Sequence, residues 1–228
     1  MQQLLENHKT GATLAAVRYH VIRLKSRPDT APLAADVAAA RAGLVEKSDA
    51  ADEAKEERVA ASAVVVYCDH VLDTGVMALS REATTLVNGD TSEDRYVRLF
   101  PTTPSVAMKP VAGDPQERYV RSILNRLAED DAYATLRGYL PKLAGALDTL
   151  NATVKLRSDL YVKEAMAASE RNIALDNARR TYNLMYPRLQ LLFPKDPALV
   201  ETFFKDLRGS GATDAEVPDG KDGTAAVK

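Results

Sequence analysis

The reactive side-chain types of this chain are most concentrated in one short run, Cys68, Asp69 and His70, with Asp73 three residues further on. On an α-helix, Cys68 and His70 point about 200° apart, so they cannot hold one metal ion from a single turn. His70 and Asp73 lie three residues apart and can pair, while Asp69 can meet a cation on another helix. We therefore interpret the polar members of this run as a structural hydrogen-bond site, and Cys68 as a buried apolar residue.

A second dense run, DNARRTYNLMYPR, brings together Arg179, Arg180, Tyr186 and Arg188. Guanidinium groups bind phosphates and carboxylates through charge-assisted hydrogen bonds, so these four residues are candidates for gripping a phosphate or an acidic partner. A small-ligand enzyme would require Arg179, Arg180 and Tyr186 to line one tight pocket.

The phrase Leu-Phe-Pro-x-x-Pro occurs twice, at 99–104 and at 192–197, and an arginine lies four residues before each copy. Proline cannot continue a helix interior, so the phrase predicts the end of a helix, with its Leu-Phe pair folded over the end of the bundle. The alternative is that Leu99, Phe100, Leu192 and Phe193 form exposed apolar patches that recognise a partner.

Recognisable catalytic chemistry is missing from the sequence. No histidine has a glutamate three residues before it, which argues against the di-metal sites of helical bundles. The GxxxxGK[ST], GxGxxG, GxSxG and HExxH patterns do not occur. We predict a protein that is not an enzyme and that holds no metal or cofactor.

Composition excludes several classes of protein. The 228 residues carry a net charge of −2, whereas a nucleic-acid binder needs basic residues to neutralise phosphates, so we expect no nucleic-acid partner. The single cysteine is compatible with a reducing compartment. The N-terminus does not have the pattern of a secretory signal, and the longest apolar run, 59–68, is half the length of a membrane span. These features predict a soluble, cytoplasmic protein.

Two long segments repeat apolar residues every seven positions. The first contains Val37, Leu44, Ala51, Arg58, Val65, Leu72, Leu79 and Leu86; the second contains Leu140, Leu147, Val154, Tyr161, Ala168, Leu175, Tyr182 and Leu189. Heptad seams of this length predict long helices packed at shallow angles. The positions three residues further on are mostly small in the first segment and include Arg157, Glu164 and Arg171 in the second. A bundle fits that pattern better than a two-stranded zipper.

Shorter helices are predicted at 13–25, from Asp114 as cap with Pro115 in the first turn, and at 197–207. The predicted fold is all-α: an elongated antiparallel bundle resembling a four-helix bundle, with two long and several shorter helices in one domain, 1–208. The order short helix, long helix, Leu-Phe-Pro-x-x-Pro occurs twice, which suggests duplicated halves, 1–110 and 111–208. The polar, glycine-rich tail, 209–228, is predicted to be disordered.

The predicted short helices cover only part of the long ones, so the remaining seam must be buried elsewhere. We therefore predict a homodimer or a protein partner, and a role as a non-enzymatic scaffold or interaction protein. The alternative is a membrane-active protein that unpacks its hairpins on a bilayer through the apolar ASAVVVY stretch; the charged residues that flank this stretch argue against it.

Overall fold

The computed structural model describes residues 3–5, 7–109 and 112–206, and within those ranges it contains helices and no strand. The predicted all-α fold is therefore confirmed. The α-helices are α1 (Thr10–Lys25), α2 (Ala34–Leu86), α3 (Asp94–Leu99), α4 (Pro104–Ala107), α5 (Asp114–Glu129), α6 (Leu140–Leu192) and α7 (Pro197–Glu201). Short 3₁₀ helices, Ala31–Leu33 and Asp131–Tyr139, lead into the two long helices.

The two heptad segments form the long helices α2 and α6, each of 53 residues. They run antiparallel, since Asp36 of α2 pairs with Arg188 of α6 while Lys47 pairs with Glu170. Helix α6 continues through Pro187, although proline removes one backbone hydrogen bond from a helix interior.

The chain forms two compact units, and both long helices contribute to each of them. Unit 1 comprises 1–49 and 168–228, and unit 2 comprises 50–167. The predicted repeat halves divide the chain differently, because each unit takes residues from both halves. The duplication itself stays a prediction, and the predicted disordered tail, 209–228, lies outside the described residues.

The main core of unit 1 joins α1, the start of α2, the end of α6 and the segment around α7. Its buried residues are Leu4, Ala16, Val17, Leu24, Ala34, Val37, Tyr182, Met185, Leu189, Val200, Phe203 and Phe204. Helix α7 ends at Glu201, so the prediction of a helix from 197 to 207 was wrong for 202–206, and Leu207 lies outside the described residues. Adjacent helical side chains point about 100° apart, whereas the turn after α7 allows both Phe203 and Phe204 to be buried.

Polar groups of α1 hold this turn in place. The Tyr19 hydroxyl and the Arg23 Nε both donate to the Thr202 carbonyl, at 3.1 and 3.2 Å. The fully buried His20 has its Nδ1 2.8 Å from the Phe203 carbonyl oxygen, and its ring stacks on Phe204 with 4.7 Å between the ring centroids. Aromatic packing and backbone hydrogen bonds therefore position the turn together.

The core of unit 2 is formed mainly by α2, α5 and α6. Buried residues of the three helices include Leu72, Val76, Leu79, Val120, Ile123, Leu127, Leu143 and Leu147. Helix α5 begins one residue earlier than predicted: Gly113 is its cap, Asp114 is its first residue and Pro115 lies in its first turn. After α2 ends, Asn88 and Gly89 adopt positive φ angles of 52° and 89°, which reverse the chain direction.

The two Leu-Phe-Pro-x-x-Pro copies each end a helix, as predicted. The helix ends at the leucine, the phenylalanine follows it, and the second proline opens the next short helix. The first copy, however, ends the short helix α3 and not the long helix α2, which stops at Leu86. The Asn88-Gly89 turn and α3 separate them, so the order predicted from the sequence does not hold for the first copy.

Candidate interaction surface

Within unit 2, ion pairs rather than large buried apolar side chains join the middle parts of the two long helices. Arg58 Nε lies 2.5 Å from a Glu164 carboxylate oxygen, and its guanidinium lies 5.0 Å from the centroid of the Tyr161 ring. Lys163 Nζ lies 2.5 Å from a Glu57 carboxylate oxygen. The hydrogen bond that Arg58 donates to Glu164 raises the pKa of Arg58, which therefore stays charged. Arg58, the one residue that breaks the first seam, is thus matched by Glu164 of the second segment.

Apolar side chains on the seam-facing side of α2 are small in this region, where Ala51, Ala54 and Ala61 are buried. Several larger apolar side chains of α2 are exposed instead, among them Val59, Val66 and Met77. Together with the exposed Ala63 and His70, they follow one another at spacings of four, three, four and seven, and the half-buried Asp73, bonded to Gln116, lies between His70 and Met77. These spacings place them on one side of the helix, and we name this set the outer α2 stripe.

All five residues of the outer α2 stripe are exposed, although Met77 exposes only 36% of its surface. Val66 exposes 69% of its surface, the flanking Tyr67 exposes 68%, and Val59 exposes 50%. On the seam side, by contrast, the neighbouring Val65 and Cys68 are buried, and burial of Cys68 agrees with the prediction. Helix α2 is therefore apolar on two sides, of which the core of unit 2 covers only one.

The same property explains the hydropathy of this segment. Within the described part of the chain, one helical stretch, Ala31–Leu86, is long and apolar enough to cross a membrane, with a window of mean hydropathy 1.3. Only 28% of that window is buried. An apolar side of a helix that no core covers can be buried in a membrane or against another protein.

The polar run on α2 is a structural hydrogen-bond site, although its partner differs from the one suggested by the sequence. Gln116 of α5, which is 1% exposed, donates from Nε2 to Asp69 at 2.8 Å and to Asp73 at 3.1 Å. Burial, followed by the charge of Asp69, raises the pKa of Asp73. His70 is exposed on the outer side and forms no hydrogen bond with Asp73. The described residues contain no group of three or more metal-ligating side chains.

The arginine and tyrosine candidates lie in unit 1 but do not form one pocket. Arg179 donates to Asp176 and to the His8 carbonyl, which pins the N-terminal segment to α6. Arg180 is exposed, while Tyr186 packs against Phe204 with 5.7 Å between the ring centroids. Arg188 lies 3.2 Å from Asp36 at a groove of about 450 Å³, whose lining includes neither Arg179, Arg180 nor Tyr186.

Asn183 is a structural residue of this region that the sequence patterns did not reveal. Its side-chain amide accepts from the Leu4 nitrogen at 2.9 Å and donates to the Leu4 carbonyl at 3.0 Å. This pair of bonds imitates the pairing of an extended strand, and it docks the buried Leu4 against α6. The charged and aromatic residues of the run DNARRTYNLMYPR, which contains Asn183, do not indicate such a contact.

The Leu-Phe pairs of the repeated phrase have different environments. Leu99 and Phe100 are buried in the core of unit 2, which agrees with a structural role and leaves the first copy without an exposed patch. In unit 1, Leu192 is 47% exposed, and Phe193 packs partly against the core and stacks on Phe203. The second copy therefore contributes one exposed leucine rather than a continuous patch.

Comparison of the chain with protein-family models, curated proteins and solved structures finds no match.

Proposed function

We propose that this protein is a non-enzymatic helical scaffold that binds another protein through the outer α2 stripe. The exposed apolar side of α2 is the observation that supports the proposal. Contiguous exposed apolar surface is characteristic of binding sites, because leaving it in water costs free energy that an interface recovers. Tyrosine and methionine, present here as Tyr67 and Met77, are enriched at protein interfaces.

The ion pairs of the central region support the same proposal. Arg58–Glu164 and Lys163–Glu57 hold the two long helices together where few large apolar side chains lie between them. The larger apolar residues of α2 are thereby left on the outer side, where they are available to a partner. Arg179 already donates hydrogen bonds to Asp176 and to the His8 carbonyl, which argues against a phosphate or small-ligand site in the arginine-rich run.

A membrane-active protein is the second candidate, and the hydropathy of α2 is the observation that favours it. Inserting this helix into a bilayer would also carry Asp69 and Asp73 into the apolar phase, at a cost of about 2.5–3.5 kcal/mol for an aspartate at the centre of a spanning helix. The outer α2 stripe is therefore better suited to a protein surface.

Site-specific photo-crosslinking in the native cell tests the proposal. A benzophenone side chain replaces Val66 in one variant and Met166 of α6, which is 61% exposed, in the matched control. We expect protein adducts at position 66 and far fewer at position 166. Lipid adducts at position 66, together with leakage of liposomes on adding the purified protein, would favour the membrane-active candidate. Equal yields at the two positions, or none at position 66, would contradict the proposal.

A further inference from the structure

Opposite charges lie at the two ends of the outer α2 stripe. Glu56 precedes Val59 by three residues and Arg81 follows Met77 by four, so both lie on the same side of α2 as the stripe. Both side chains are exposed, and neither forms an ion pair with another residue in the described part of the chain. The stripe therefore has an acidic end and a basic end.

We propose that a second copy of this chain packs on the outer α2 stripe in the antiparallel direction; this inference rests on the proposed function. A two-fold axis level with the peptide between Cys68 and Asp69 places Glu56 opposite Arg81 of the second copy, and Arg81 opposite its Glu56. A parallel pair would instead place like charges together at both ends. Like charges directly opposed are destabilising, so the charge pattern selects the antiparallel pair.

The residues at the start of the stripe agree with this register. Asp52, Lys55, Glu56, Val59 and Ala60, all of α2, line a shallow, open surface there. In the antiparallel register, Met77 of the second copy lies level with Ala60, next to this surface. The unbranched, flexible side chain of methionine adapts to irregular apolar surfaces. The axis repeats the contact at the other end, as a two-fold interface requires.

The extent of the contact sets its expected strength. From Glu56 to Arg81 the helix spans about 26 residues, or about 39 Å at the α-helical rise. One helix packed on one helix over that length forms an interface at the small end of the range for specific complexes. We therefore expect a dimer that forms at micromolar concentrations and dissociates on dilution.

Charge reversal tests the arrangement, with the purified full chain measured by sedimentation equilibrium. The variants Glu56→Arg and Arg81→Glu each place like charges at both ends of the antiparallel dimer, so each should weaken association about tenfold or more. Mixing the two variants should restore dimers, because one chain then has two arginines and the other two glutamates. The double variant Glu56→Arg, Arg81→Glu should also associate like the wild type. Circular dichroism should confirm that each variant keeps its helical content.

Three results would overturn the inference. The wild type could remain strictly monomeric at micromolar concentrations, the single reversals could associate as well as the wild type, or mixing could fail to restore dimers. The crosslinking experiment tests the proposed function separately from the dimer. A monomer whose position 66 still crosslinks to a different protein refutes the dimer and leaves the scaffold, whereas no adduct at position 66 refutes both.

Discussion

Acidification should destabilise unit 1 through His20. The side chain is fully buried between α1 and the turn after α7, where Nδ1 meets the Phe203 carbonyl and Nε2 has no hydrogen-bond partner. The neutral ring satisfies the carbonyl by donating from Nδ1. A second proton on Nε2 would place an uncompensated charge among the aromatic rings of Tyr182 and Phe204. Burial accordingly lowers the pKa of His20, and the hydrogen bond to Phe203 offsets this only in part.

The sign of the effect follows from proton linkage. The unfolded chain binds a proton at His20 near pH 6.5, whereas the folded chain resists protonation until a lower pH. The stability contributed by His20 is therefore complete above about pH 6.5 and falls as the pH drops toward the lowered pKa of the folded state. One proton limits the slope to about 1.4 kcal/mol per pH unit. Asp73 in unit 2 has the opposite sign, because its raised pKa favours the folded state as the pH falls.

The contribution of His20 is measured as the difference in the pH dependence of the unfolding free energy between the wild type and a variant without this histidine. Urea unfolding followed by circular dichroism, at a series of values between about pH 7.5 and pH 5, compares the wild type with His20→Gln, whose amide does not titrate in this range. We expect the free energy of unfolding of the wild type to fall more steeply with acidification than that of the variant. Parallel pH dependences in the two proteins would refute the argument, whatever their absolute stabilities.

Three further single substitutions and one double variant distinguish the roles of individual contacts. Phe100→Ala should cost about 3–5 kcal/mol of unfolding free energy, as for a buried phenylalanine. Phe193→Ala should cost clearly less, because Phe193 is only partly buried, and equal losses in urea titrations would contradict this ranking. Arg58→Met should lower the thermal midpoint, because it leaves the Glu164 carboxylate without its partner. The double change Arg58→Met, Glu164→Met should recover much of that loss, and strictly additive losses would show that the two side chains act independently.

The heptad seams were predictable because burial on a long helix leaves a regular trace in the sequence. Val37, Leu44, Leu72 and Leu79 of the first seam are all buried in the structure. The second seam was predicted as continuously apolar, yet Tyr161 is 53% exposed. There the helices meet through Arg58 and Glu164, and periodicity alone does not distinguish an apolar contact from a charged one.

The outer α2 stripe was not identified from the sequence, because a helix with apolar residues on two sides gives no sign of which side the core covers. Val65 and Val66 are neighbours of the same residue type, but the first is buried and the second exposed. The signal that could have found the stripe is its own heptad spacing, from Val59 through Val66, offset by one position from the buried seam. The contact of Asn183 with Leu4 gave no comparable signal, since it depends on one side chain meeting a distant backbone.

The masses of three proteins in solution test directly whether the outer α2 stripe is a contact between chains. Light scattering at micromolar concentrations would measure the wild type, Val66→Asp and Met166→Asp, where each substitution places a charge on a well-exposed apolar position. We expect masses above the monomer for the wild type and Met166→Asp, and a monomer for Val66→Asp, because the charge lies within the contact only at position 66. Identical masses for all three proteins would contradict this expectation.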